Sequence, residues 1–242
     1  FAALGLSLSA QADTDSPTTS ELILVPSGSY QRDSNKANIN TIDSFYINKY
    51  EVTQDQFIKI SKLSNPSKNK KDQINPVENI TFYEAIVFCN KLSITENLEP
   101  VYMLNNSTNP DDWGKVPKKS DTTWNMVTIN WNASGYRIPT KAEWVWAALG
   151  ANDTNRRFFS GSSIASVQDT AWYIDNAGNK THPIGLMKPN DLGIYDMSGN
   201  VYEMCIEGKN TLKDGIVNNP YKDNYSITPM GMIGGAFDSK IA

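Results

Sequence analysis

The chain has 242 residues, 39% of them hydrophobic and 20% charged, enough to bury a core of ordinary size within one domain. Its formal net charge is -4 and its isoelectric point about 5.1, so no global positive field draws it to nucleic acid or to an acidic membrane surface. After the first residues no stretch is long and apolar enough for a transmembrane helix, which leaves a protein or surface ligand as the expected partner.

Residues 1–12, FAALGLSLSAQA, hold an apolar run too short to cross a bilayer and then Ala10-Gln11-Ala12, the small-x-small pattern of a signal-peptidase site. They read as the remnant of a signal peptide, with a frayed N-terminal helix as the plainer alternative. Residues 13–20, rich in Asp, Ser and Thr, read as a flexible tether, and residues 21–242 as one domain. Export to the cell surface or periplasm of a bacterium is the expected localisation.

ELILV (21–25) and FYINKYEV (45–52) are strand-like runs. In VTQDQF (52–57), Thr53 stands as an N-cap with Gln56 three residues on, and Val52 and Phe57 occupy the staple positions, which predicts a helix. NPSKNKKDQINP (65–76) places Lys68, Lys70 and Lys71 between two Asn-Pro turns, the pattern of a solvated loop. TFYEAIVFCNKLS (81–93) repeats the capping box with Thr81 and Glu84 and sets Ala85, Phe88, Cys89 and Leu92 at helical spacing. TWNMVTINW (123–131) alternates Val127, Ile129 and Trp131 with polar residues and predicts a strand with one buried face. PTKAEWVWAALG (139–150) gives a third helix from Thr140 and Glu143, with Ala142, Val145, Trp146 and Leu149 on its apolar face and Gly150 as C-cap. MGMIGGAF (230–237) is the last strand-like run, and most of the rest is rich in turn-forming Asn, Gly, Pro, Ser and Asp. The sum is an α+β chain with extensive irregular structure.

Two cysteines cannot build a disulfide framework. Cys89 falls on the apolar face of a predicted helix, so buried thiols are expected rather than a bridge. His182 is the sole histidine, too few for an imidazole-based iron site, and it reads as a loop-packing residue. No serine stands in a Gly-x-Ser-x-Gly elbow.

The ordered segments ILVPSGSY, FYINKYEVTQDQF, NPVENITFYEAIVFCNKLS, YRIPTKAEWVWAALG, THPIGLMKPNDLGIYDMSGNVYEMC and GGAF resemble the formylglycine-generating enzyme, or sulfatase-modifying factor, family from about Glu21 onward. The resemblance implies a C-type-lectin-like fold, loop-rich, with short helices and short strands. Its members include copper oxidases of a sulfatase cysteine, iron-dependent sulfoxide synthases, proteins without known catalysis, and the displayed variable proteins of diversity-generating retroelements. In the oxidases a cysteine pair follows a Gly-Gly-Ser-aromatic motif. Here GGAF (234–237) is followed by DSKIA alone, so no copper and no catalytic residue is expected in this chain.

DMSGNVYE (196–203) has two readings. Asp196 and Glu203 serve as acceptors around a tight turn, or, as the resemblance implies, Asp196, Gly199, Val201 and Glu203 hold a structural Ca²⁺ through carboxylate and carbonyl oxygens. Tyr202 and Met204 replace two tryptophans common in the family, which leaves recognition by those positions open. Ala236, Phe237, Asp238, Ser239, Lys240 and Ile241 likewise read either as a Gly-Gly turn into a final strand or as the start of a ligand-binding, diversified surface. The expected function is an exported, non-catalytic binding or display protein. The alternatives are a cysteine oxidase whose catalytic tail is missing here, and an accessory subunit of a surface complex.

Overall fold

Local hydrogen bonding decides where the helices begin. In the computed structural model, which describes residues 5–6, 21–70, 72–152, 164–208, 212–220 and 225–240, all three predicted capping boxes form. Thr53, Thr81 and Thr140 each accept from the backbone N–H three residues on, at 3.2 Å. The side chains of Gln56, Glu84 and Glu143 accept the return bond from the three cap N–H groups. These caps open α1 (Gln54–Ser61), α2 (Phe82–Thr95) and α3 (Lys141–Ala148), and a short α4 (Ile164–Thr170) follows.

The strands, in chain order, are β1 (Gly5–Leu6), β2 (Leu22–Val25), β3 (Gly28–Gln31), β4 (Ile39–Ile42), β5 (Phe45–Asn48), β6 (Tyr102–Met103), β7 (Thr128–Ile129), β8 (Tyr136–Arg137), β9 (Glu203–Gly208), β10 (Ile216–Asn218) and β11 (Tyr225–Ile233). They form a four-stranded sheet in the order β2-β5-β1-β8, a three-stranded sheet β10-β4-β3, and the ribbons β11-β9 and β6-β7. Strand β10 runs parallel to β4, and the other pairings are antiparallel. Apart from β1, residues 1–20 lie outside the described residues, and with them most of the expected signal remnant and all of the tether.

Two large apolar clusters carry the fold. The first joins α1 and α2 through Phe57, Phe88 and Leu92 to Tyr102 and Tyr136. The second packs Val25, Ile42, Phe45 and Ile47 of the strands against Trp144 and Trp146 of α3. Cys89 belongs to the first and Cys205 to the second, both free and fully buried, as expected of structural thiols.

Two local expectations are corrected. Residues 124–126 form a single 3₁₀ turn and only Thr128–Ile129 is strand. The Asp121 carboxylate accepts from the Thr123 and Trp124 N–H groups, and that local bonding outcompetes the alternating pattern. Helix α3 is buried nearly all round rather than on one face: Trp144, off the predicted stripe, has no exposed surface. Gly150 lies one position beyond the cap Leu149, with φ of 68°. The N–H groups of Gly150 and Ala151 close onto the carbonyls of Ala147 and Trp146, the paired bonds of a Schellman ending.

Candidate functional site

The Gly-Asn turn of DMSGNVYE is the point to which four distant segments are tied. Gly199, at φ of 85°, donates its N–H to the Gly234 carbonyl at 2.7 Å, and Asn200 donates its own to Trp172 O at 2.9 Å. The Asn200 carbonyl accepts from Phe237 N–H at 2.9 Å. The Asn200 side chain, fully buried, donates to Glu51 Oε2 at 2.6 Å and to the His182 carbonyl at 3.2 Å, and accepts from His182 N–H at 3.0 Å. One asparagine thus satisfies the 51, 172, 182 and 237 segments together, a role with no signature in the sequence.

Around this turn lie three buried carboxylates. Glu51 accepts from Val201 N–H as well as from Asn200. Glu203 opens β9 and accepts from the Trp144 indole N–H at 2.6 Å. Asp196 Oδ2 accepts from Gly185 N–H at 2.8 Å, while Asp196 Oδ1 is buried with no hydrogen-bond partner. Burial, and then the Asp196 and Glu203 charges, hold Glu51 well above the ordinary carboxylate range. Burial pushes Asp196 up to about 6 and Glu203 to about 7. Among the described residues, no three His, Cys, Asp or Glu side chains are grouped to ligate one metal. A cation at this loop therefore needs the Gly199 and Val201 carbonyls beside Asp196 and Glu203. The all-oxygen donor set and the orphaned Asp196 Oδ1 fit a hard cation such as Ca²⁺.

The C-terminal segment folds back over the same turn. Ser239 donates to the Tyr202 hydroxyl at 2.9 Å, accepts from Ala236 N–H at 2.9 Å, and offers its carbonyl to Ile174 N–H at 3.1 Å. This loop borders a cleft of about 590 Å³. Ala236, Phe237 and Asp238 line it, joined by Val201, Tyr202 and Met204 from the turn and β9 and by Met232 from β11. Ser239 secures the loop without lining the cleft, Lys240 is exposed and does not line it, and Ile241 lies outside the described residues. The facing wall comes from Lys68 and Asn69, from Glu78 to Ile80, and from Asn179 to Thr181. Its Asn79 and Asn179 stand at positive φ, a conformation asparagine tolerates, and Asn75 ties Thr181 in place from behind. Two cations, Lys68 and Lys180, are balanced by Glu78 and Asp238, so the cleft selects neither polyanion nor polycation.

The single histidine packs as expected: its ring stacks on Trp172 at a centroid distance of 3.7 Å, with Nε2 2.8 Å from the Ala177 carbonyl. Burial holds both thiols well above their usual range, the reverse of what a thiolate ligand needs. Among the described residues no helix is long and apolar enough to cross a membrane.

The family model of the sulfatase-modifying factor enzyme 1-like domain matches residues 8–228. The chain belongs to that family. A chaperone protein, LppX, of Paenibacillus barcinonensis is 41% identical over 220 residues, spanning 83% of this chain and 76% of the relative. The formylglycine-generating enzyme of Thermomonospora curvata is 28% identical over 95 residues, 35% of this chain and 31% of the enzyme. Among solved structures, Treponema denticola variable protein 1 superposes with a TM-score of 0.76 at 30% identity, over 90% of this chain and 84% of that one. The expected C-type-lectin-like fold of the sulfatase-modifying factor family is therefore the fold of this chain.

Proposed function

We propose that this member of the family is a non-catalytic binding protein, exported to the surface or periplasm of a bacterium, that holds a protein or surface ligand in the cleft beside its C-terminal segment. The observation that carries the reading is the convergence of Ala236, Phe237 and Asp238 with Tyr202, Met204 and Met232 on one cleft of about 590 Å³. That volume falls among ligand sites, and the lining pairs an apolar patch with polar and charged side chains that can orient a ligand. The likeness to a variable protein supports display of this face, and the relative named a chaperone protein supports a ligand that is itself a protein. The small-x-small signal at residues 10–12 supports export. A cysteine oxidase is the less favoured reading, since its copper needs two neighbouring thiolates and Cys89 and Cys205 sit in separate core clusters.

Full-length protein on beads is expected to retain a partner from the envelope fraction of its bacterium. Phe237→Asp, which puts a charge on the apolar wall, weakens that retention about tenfold or more. Equal retention by the variant, or conversion of a cysteine peptide to its aldehyde by the copper-loaded protein, would overturn the reading. Recovery from the cytoplasm with residues 1–12 still attached would overturn export.

A structural calcium ion forms part of the same proposal. Asp196 and Glu203 would hold it by carboxylate oxygens and Gly199 and Val201 by carbonyls, and the ion would supply positive charge among buried carboxylates. Without it, the raised pKa values of Asp196 and Glu203 make the folded state hold protons that the unfolded chain releases near pH 4. Stability is then full below about pH 4 and is lost as pH rises through about 6 to 7. Thermal unfolding in chelator is expected to show that decline, and millimolar calcium to reverse it at pH 8, where the ligands are ionised. Coincident curves with and without calcium at pH 8 would rule out the ion.

A further inference from the structure

Met204 and Met232 are directly opposed residues on the antiparallel β9-β11 ribbon, and both line the cleft. Opposed residues on such a ladder share one face, with Cβ atoms about 5 Å apart. Met232 is 54% exposed and Met204 half-buried, so both thioethers lie within reach of a small solute. Val201 and Phe237 complete the apolar part of this wall. Thioethers suit such a surface because they are unbranched and polarisable, and they are also the one apolar side chain that a mild oxidant makes polar.

We infer that the Met204–Met232 pair is an oxidation site through which peroxide-class oxidants switch off ligand binding in the cleft. The inference rests on the binding role proposed above. A methionine sulfur lone pair attacks one oxygen of hydrogen peroxide, the O–O bond breaks, an S–O bond forms, and water leaves. Sulfur is oxidised by two electrons and the peroxide reduced by two. Each sulfoxide places a strong dipole and hydrogen-bond acceptor in the apolar wall, where a ligand's apolar group cannot pair with it. Thiol-dependent methionine sulfoxide reduction reverses the change. Other methionines supply internal controls: Met126 is 70% exposed on a 3₁₀ turn and does not line the cleft, and Met197 is buried in the second core cluster.

The test uses the full chain, with hydrogen peroxide as oxidant and bis-anilinonaphthalene sulfonate as a fluorescent probe of the apolar cleft. Peptide mapping is expected to show Met232 and Met204 oxidised well before Met197. Probe affinity is expected to fall about tenfold on oxidation and to return after treatment with methionine sulfoxide reductases. The double variant M204L and M232L should show the same probe affinity before and after peroxide, whatever that affinity is, although its Met126 is oxidised. Loss of probe from the peroxide-treated double variant, or full retention by oxidised wild type, overturns the switch while leaving the cleft reading in place. Unchanged probe binding by Phe237→Asp instead overturns the cleft reading, and the switch falls with it.

Discussion

Gly199→Ala is expected to destabilise the protein by about 4 kcal/mol, lowering its melting temperature by roughly 8 to 16 °C for a domain of this size. Two independent costs combine. At φ of 85° any side chain is strained, by about 1 to 3 kcal/mol. A Cβ at Gly199 would also overlap the Trp172 carbonyl, which is backbone and already accepts from Asn200 N–H. Relief requires moving either the 172 segment or the turn. Moving the turn breaks the bond from Gly199 to Gly234 and disturbs that from Phe237 to Asn200, so the cleft wall loosens together with the fold. Calorimetry measures the first effect and probe binding in the cleft the second. A variant melting within about 3 °C of wild type would mean that the turn is far more compliant than its bonds indicate.

Glu143→Gln is the second large effect, expected at about 3 to 5 kcal/mol. Arg137 and Glu143 form a bidentate pair, both bonds 2.8 Å, with side chains only 3% and 2% exposed. Neutralising one partner leaves the other charge buried, and the lost attraction in a dry site is larger than on a surface. A glutamine oxygen can still accept from Thr140 N–H, as Gln56 accepts from Thr53 N–H, so the capping box is kept and the loss falls on the ion pair. Adding Arg137→Met removes the stranded cation and should recover more than half of the loss by chemical denaturation. If the double variant is less stable than Glu143→Gln alone, the Arg137 contact over the Trp131 ring outweighs the cost of leaving its charge unpaired.

What could be read in the sequence follows the range of the forces involved. The capping boxes at Thr53, Thr81 and Thr140 were legible because both partners lie within three residues of each other. The 3₁₀ turn at 124–126 was missed, although its cause was equally local, because Asp121 stands outside the alternating window that drew attention. Trp144 was misplaced because its indole partner, Glu203, is 59 residues away. The family resemblance supplied the fold, the loop at 196–203 and the attention to the C-terminal segment, whose residues alone read equally well as a Gly-Gly turn into a strand. The opposite wall of the cleft had no such signal. Asn79, Asn179 and Thr181 look like ordinary turn residues until the chain brings 68–69, 78–80 and 179–181 to one place. Glu51 and Asn200 were likewise hidden, since a buried polar hub is defined by what surrounds it.

The attachments of the C-terminal loop have one more consequence. Gly234, Phe237 and Ile174 hold it by main-chain groups, and among the described residues of the loop only Ser239 contributes a side-chain hydrogen bond to its path. The letters at 237, 238 and 240 are therefore decoupled from the course of the backbone beneath them. A scaffold anchored in this way can carry a changing vocabulary at its tip while its grammar stays fixed, so new specificities need not wait for compensating changes in the core.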